Sequence, residues 1–419
     1  MMGIREVVIP MLLCLCCFAA ENPATPRTPS QTPAHVECIP ADKLRADLDY
    51  LFSTISQVHP NMYAYTNAEK YTMIEDALYG YVDHPMTASE FYVCVQPVVH
   101  YLQDSHTTVY RPPNFVMPAI TGSMRELGVR LKEILKDDEA PRTGDQYVSA
   151  PRKKEYEGPY SYHILPEYDT CLMVLNSFGK PDEIEQYTKR FQEAFKAIRD
   201  KRAVHLVIDV RQNRGGSGLV GDELLKHLAK KRFRQIEKVE QRIVPAFFEL
   251  CERYGLDANK TMLDEYGIDL EALKSEGRYK TGMIATGQVP FKNPHAPSER
   301  FKGSVYLLIG KPTFSSASNF AAAVKYFEMG TLIGQETSGT RDHYGQVLPV
   351  ELPRSGLKGQ VSTAHFVAVG GTKDPGGVKP DCEVRQESED TAKGIDTVLE
   401  FTLNLIRNAG TVSDTQSVN

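Results

Sequence analysis

Apolar positions recur at helical spacing early in the chain and in strand-length runs later. In LRADLDYLFSTISQV, Leu44, Leu48, Leu51, Phe52, Ile55 and Val58 fall close to a 3.6-residue period, which predicts an amphipathic helix ended by His59-Pro60. A second helix is predicted over Asn67 to Val82. A third runs from Thr87 to Leu102, where Thr87 and Glu90 have the spacing of a capping box. Together they form a small helical N-terminal module over residues 41–108, in which His59 and His84, each ahead of a proline, read as turn residues. From Thr170 short apolar runs alternate with helices. CLMVLNSF is followed by a helix over Ile184 to Lys201, the strand Val204 to Val210, a helix over Asp222 to Lys231, and the strands beginning at Val305 and Thr331. That alternation predicts an α/β core with a largely parallel sheet over residues 109–407. Irregular strands and loops are expected from Val109 to Tyr168, a helical insertion covering the site over residues 237–300, and a disordered polar tail over residues 408–419.

The chain has 419 residues, 41% hydrophobic and 24% charged, with a formal net charge of −6. A large core is affordable at this size, and the charge balance gives no field to collect nucleic acid or anionic membrane. The basic run from Lys226 to Arg234 reads as the solvated face of a helix. Arg5 followed by the apolar run Val7 to Ala20 resembles a secretory signal peptide over residues 1–20, too short to span a bilayer comfortably. A Pro-rich linker over residues 21–40 follows it. Export to the periplasm or the extracellular space is therefore expected, without a transmembrane domain in the mature chain. Lipid attachment at Cys16 or Cys17 is disfavoured, because Leu15 and Cys16 are not the small residues expected ahead of such a site. Of the eight cysteines, Cys38, Cys94, Cys171, Cys251 and Cys382 lie beyond the leader and show no metal-ligand spacing, so neither metal nor cofactor is expected.

Two segments carry candidate chemistry. Lys311-Pro-Thr-Phe-Ser-Ser-Ala-Ser-Asn319 lies between the apolar run Val305 to Ile309 and the Ala-rich stretch from Phe320, an order of buried strand, small-residue turn and helix. A serine at a helix N-terminus meets free N–H groups and the positive end of the dipole, which makes Ser316 the candidate nucleophile. The plainer reading is that Ser315, Ser316 and Ser318 cap the helix. In VIDVRQNRGGSG the paired glycines let backbone approach a ligand, so Gly215 or Gly216 with the N–H of Ala317 could form an oxyanion hole. A phosphate cradle is the alternative, but no Walker lysine follows. A serine nucleophile needs a base, and eleven histidines are available.

These segments, in order, resemble the tail-specific, or C-terminal-processing, serine peptidases. Leu102-Gln-Asp-Ser-His-Thr resembles the family's DGHT-type segment and VIDVRQNRGG its DLRxNxGG strand and turn. TFSSASNFAAAV is similar to its SASAxE turn, and Gly377-Val-Lys-Pro-Asp381 to its closing G-I/V-x-P-D. The resemblance implies a crotonase/ClpP-like core and hydrolysis of peptide or protein substrates through an acyl-enzyme. Thr340 stands where the best-known members carry a catalytic lysine, Lys325 reads as a surface residue, and the interval from Val109 to Ala203 is too short for a PDZ domain. The chain is thus more similar to the tricorn-core branch. That implies His106 as base, preceded by a supporting Ser105, with Asp374 as the acid and Lys373 as its rival. Two other expectations compete: a catalytically silent relative that binds a peptide or hydrophobic ligand, and an acyl-CoA enzyme of the crotonase type, which an export signal disfavours.

Overall fold

The computed structural model describes residues 37–136, 150–151, 153–253, 263, 265–371 and 376–416. The leader and most of the linker lie outside them, and so do Lys373 and Asp374. The predicted helical module is present as α1 (Ala41–Val58), α2 (Ala68–Tyr81) and α3 (Ala88–His100). The capping box at Thr87 and Glu90 is formed in both directions. Leu44, Leu48, Leu51, Ile55 and Val58 line the buried stripe of α1, as the periodicity requires.

The strands β1 (Thr108–Val109), β2 (Tyr160–Leu165), β3 (Thr170–Leu175) and β4 (His205–Asp209) precede β5 (Ile236–Arg242) and β6 (Ile284–Gln288). Then come β7 (Ser304–Ile309), β8 (Thr331–Gly334), β9 (Asp342–Glu351), β10 (Lys358–Ala368) and β11 (Cys382–Glu383). One sheet has the order β11-β8-β7-β4-β3-β2, parallel throughout except for the antiparallel edge strand β2. Its strands are apolar at successive positions because both faces are covered. Leu206, Ile208, Leu307 and Ile309 pack on one side against helices, and Val207, Tyr306 and Leu308 pack on the other with Val398 and Leu403.

The helices beyond the module are α4 (Gly122–Ile134), α5 (Ile184–Lys201), α6 (Gly218–Leu228), α7 (Pro245–Arg253) and α8 (Leu270–Ser275). They continue with α9 (Ser316–Tyr326), α10 (Ser388–Ala392) and α11 (Thr397–Gln416).

Three stretches differ from expectation. Helix α4 stands where only strands and loops were predicted; its apolar residues Met124, Leu127 and Leu131 pack into the core shared with the module. The 237–300 insertion is not mainly helical. Its strands β5 and β6 pair with each other, and β5 with β10, to build a second, antiparallel sheet. Helix α11 runs to Gln416, into the segment expected to be disordered.

The long strands β9 and β10 join the two halves of the molecule. Val350, Leu352, Leu357 and Val361 pack with the helical module, whereas Ala368 and Val369 pack with the parallel-sheet core. Asp47 of α1, fully buried, accepts the main-chain N–H groups of Arg354 and Ser355 in the turn between them. Helix α11 is fastened by Arg211, whose guanidinium forms paired bonds to Asp209 and to Asp396, at 2.7 and 2.6 Å from the same nitrogen. Removing one partner of a buried ion pair strands the others, so Arg211→Ala should lower unfolding free energy by about 3–5 kcal/mol in urea denaturation. A loss under about 1 kcal/mol would mean that the pair is solvated and contributes as surface pairs do.

Candidate active site

Helix α9 begins at a sharp turn after β7, and the turn holds Ser315 at φ 53° and ψ −129°. A non-glycine residue avoids that region unless its surroundings hold it there, and a strained strand-turn-helix corner pushes the side chain out from the backbone. The corner is braced from the turn that follows β4. Thr313 donates its hydroxyl to the Val210 carbonyl, and Phe314 N–H donates to the Asn213 carbonyl. Lys311 and Thr313 carbonyls accept from Ser338 and Gly339.

The hydroxyl that meets the histidine belongs to Ser315. His106 Nε2 lies 3.1 Å from Ser315 Oγ, and the ring stacks on Phe314 with centroids 4.7 Å apart. Ser316, the residue expected there, is buried, and its Oγ has no partner among the described residues. The one-residue difference follows from the positive φ: Ser315 is the corner, while Ser316 is already the first residue of the helix.

The N–H groups expected to serve as oxyanion donors differ in whether they already have a partner. Ala317 N–H is spent on the Phe314 carbonyl and Gly215 N–H on Asn213 Oδ1, whereas the N–H groups of Gly216 and Ser316 have no partner among the described residues. Gly215 and Gly216 have φ of +102° and +132°, and a Cβ on Gly215 would come within 2.8 Å of Ser315 Cβ and 3.2 Å of Ser316 N. Glycine is thus required where the two turns touch. The arrangement leaves unpaired donors beside a serine hydroxyl facing an imidazole, the parts needed for acyl transfer.

Behind His106 sits a group that the sequence reading passed over. Asp104 is buried; its Oδ2 accepts from His59 Nε2 at 3.2 Å and from the hydroxyls of Thr107 and Ser362, each at 2.6 Å. Its Oδ1 accepts the main-chain N–H of His106 at 2.9 Å. His59 Nδ1 accepts from Asn61 N–H, so Nε2 carries the proton given to Asp104. Burial would raise the Asp104 pKa, but the His59 bond, the charge of the two histidines and the Ser362 bond together hold it well below the usual carboxylate range. His59 was read as a turn residue; the signal that could have found the pair is the carboxylate two positions before a histidine in Asp104-Ser-His106. Ser105, expected to support the base, is exposed and makes no side-chain hydrogen bond among the described residues.

His106 Nδ1 is buried and has no hydrogen-bond partner among the described residues; Asp104 Oδ1 is 3.9 Å away, close enough for charge but too far for a bond. Burial lowers the pKa of His106, partly offset by Asp104. His343 of β9 lies over the same ring at 5.7 Å, and burial with the neighbouring His106 lowers its pKa to about 3, so it stays neutral. Lys325 bonds to Asp381 and the Lys379 carbonyl on the surface, and Thr340 gives its hydroxyl to the Asp342 carbonyl.

Comparison with known proteins places the fold and the family. No curated protein matches the sequence. Among solved structures, a putative peptidase from Parabacteroides merdae superposes with a TM-score of 0.54 at 17% identity, covering 87% of this chain and 96% of that one. Mature CPAF gives 0.54 at 16% identity, covering 88% and 98%. These likenesses establish the fold. The sequence profile described as Peptidase family S41 matches residues 169–384, which is just over half of the chain and holds both turns that build the corner. The chain belongs to peptidase family S41, the tail-specific serine peptidases.

Proposed function

We propose that this serine peptidase uses Ser315 as nucleophile and His106 as its base. The contact between His106 Nε2 and Ser315 Oγ carries the reading, because it joins residues 209 positions apart in the chain and spends the histidine's lone pair on that hydroxyl. Ser315 attacks the scissile carbonyl of a peptide while its proton passes to Nε2. The N–H groups of Ser316 and Gly216 receive the developing oxyanion, and the imidazolium returns the proton to the leaving amine. Water then repeats the sequence on the acyl-enzyme.

The proton on Nδ1 needs an acceptor, and Asp374 remains the assignment. The described chain on either side of it supports this. Gly376 O accepts from Arg341 N–H, and a Cβ on Gly371 would touch Arg341, two residues before the His343 ring that overlies His106. Asp104 supplies a fixed negative charge and holds the backbone of His106. Among the described residues no helix is long and apolar enough to cross a membrane. The expectation of export rests on residues 1–20 alone.

A fluorophosphonate should label the purified chain at Ser315, mapped by peptide mass spectrometry. Ser315→Ala should abolish labelling and peptide hydrolysis, while Ser316→Ala, which keeps the main-chain N–H, should retain most of both. Labelling at Ser316 would return the role to that residue.

Because burial favours the neutral imidazole, His106 should lose its proton at a lower pH than an ordinary histidine. The rising limb of kcat/KM should therefore lie below about pH 6.5, with a plateau above it. A rising limb centred well above neutrality would point to a lysine base instead.

The two acids separate by what else they disturb. Asp374→Asn should lower turnover by about 10⁴-fold with an unchanged urea midpoint, and Lys373→Ala should be nearly neutral. Asp104→Asn should lower the midpoint as well, since an amide cannot accept from the same set of donors. Full activity in Asp374→Asn would leave Asp104 as the acid.

A further inference from the structure

Helix α6 starts beside the Gly215-Gly216 turn, and its far end carries a cluster that the peptidase reaction does not use. Glu223 and His227, four residues apart on one face of α6, meet His295 from the segment leading into β7. The three ligand-type atoms lie within 4.8 Å of one another. His295 Nε2 is 3.2 Å from Glu223 Oε1, and the rings of His227 and His295 have centroids 4.3 Å apart. Lys226 Nζ occupies the other carboxylate oxygen, Oε2, at 2.7 Å.

One atom in this cluster is unexplained. His227 is only 4% exposed, and its Nε2 is buried with no hydrogen-bond partner among the described residues. Its ring is held flat against Phe195, with centroids 4.1 Å apart and planes 17° apart. Its Nδ1 faces the Glu299 carbonyl at 3.4 Å, and since a carbonyl can only accept, the proton belongs on Nδ1. Nε2 is then a bare, buried lone pair in a ring whose nearest titratable neighbours are His295 and Glu223. An imidazole fixed through its other nitrogen by a carbonyl is the usual support of a metal ligand.

We propose that Glu223, His227 and His295 form a binding site for a divalent transition ion of the Zn²⁺ class. Two imidazoles with one carboxylate suit a borderline-soft ion and disfavour Mg²⁺ or Ca²⁺, which take oxygen ligands. Zinc bonds of about 2.0–2.1 Å set tetrahedral ligand atoms about 3.3 Å apart, so the widest separation in the cluster must shrink by up to about 1.5 Å. His295 can supply that movement, because its side chain is 27% exposed and belongs to a loop. On binding, His295 Nε2 releases the proton now shared with Glu223, and a water completes the fourth position.

The ion would act as a clip. The same segment already covers the C-terminal end of α6. His295 and Phe301 N–H groups donate to the carbonyls of Lys226 and His227, and Arg300 Nη1 donates to those of Ala229 and Lys230. A metal bridging the side chains would lock the helix end that those bonds hold.

The test is titration of chelator-stripped full-length protein with Zn²⁺ by calorimetry, with thermal midpoints measured alongside. The expected result is one Zn²⁺ per chain and a raised midpoint. In His295→Ala, whose partly exposed side chain can be removed without opening the core, the affinity should fall about 100-fold or more. Glu223→Gln should weaken binding likewise. His106→Ala should bind as the parent does, which separates this cluster from zinc held by the catalytic histidine. Failure to bind, or binding unchanged in both His295→Ala and Glu223→Gln, would overturn the proposal and leave water as the partner of His227. None of these readouts depends on peptidase activity.

Discussion

A buried carboxylate with four donors is the constraint on which the rest of this structure depends. Taking Asp104 out of water costs several kcal/mol unless its oxygens are fully engaged. The engagement is drawn from three places: His59 after the first helix, Thr107 and the His106 N–H beside it in the chain, and Ser362 in the middle of β10. Satisfying one charge therefore docks the helical module on the second sheet. The Thr107 hydroxyl also accepts Ser362 N–H, so the same contact sets the edge of β10 where β1 pairs with it. With its pKa held low, Asp104 stays charged across the neutral range and keeps these donors in place.

The corner proposed as the active site is the second consequence of docking. Its two halves come from separate domains of the sequence. The serine turn and the glycine turn belong to neighbouring parallel strands, β7 and β4, and both lie at the carboxyl ends of those strands, where α/β sheets place their ligands. The histidine comes from the helical module, and the Asp104 network, with Gln360 donating to the His106 carbonyl, holds it at the corner. The strained φ of Ser315 is sustained by the hydrogen bonds of Thr313 and Phe314 to Val210 and Asn213 in the turn after β4, so the strain is offset by the neighbouring turn and not by the serine turn itself.

Helix α6 links this corner to a remote part of the surface. Its first turn follows the glycines that face Ser315, and its last carbonyls are covered by the segment bearing His295. The ion proposed for the Glu223–His227–His295 cluster would fasten that far end and take no part in the reaction.

The amino-acid sequence determined the elements that depend on local spacing. The α1 stripe, the Thr87–Glu90 cap, the buried runs of β3, β4 and β7 and the two turns that follow β4 and β7 are set by residues within a few positions of one another, and each was legible. Helix α4 and the pairing of β5 with β6 were not, because their stability comes from the core and from β10, far off in the chain. At the site the sequence pointed to Ser316 as nucleophile, although capping preference favours any of the neighbouring serines, and the backbone twist braced by contacts to Val210 and Asn213 makes Ser315 the corner. It offered His59 as a turn residue, since nothing near it says that a carboxylate 45 positions later will need its proton. Local chemistry can specify which residues are able to react, but which atoms face each other is decided by burial and hydrogen-bond satisfaction between distant segments.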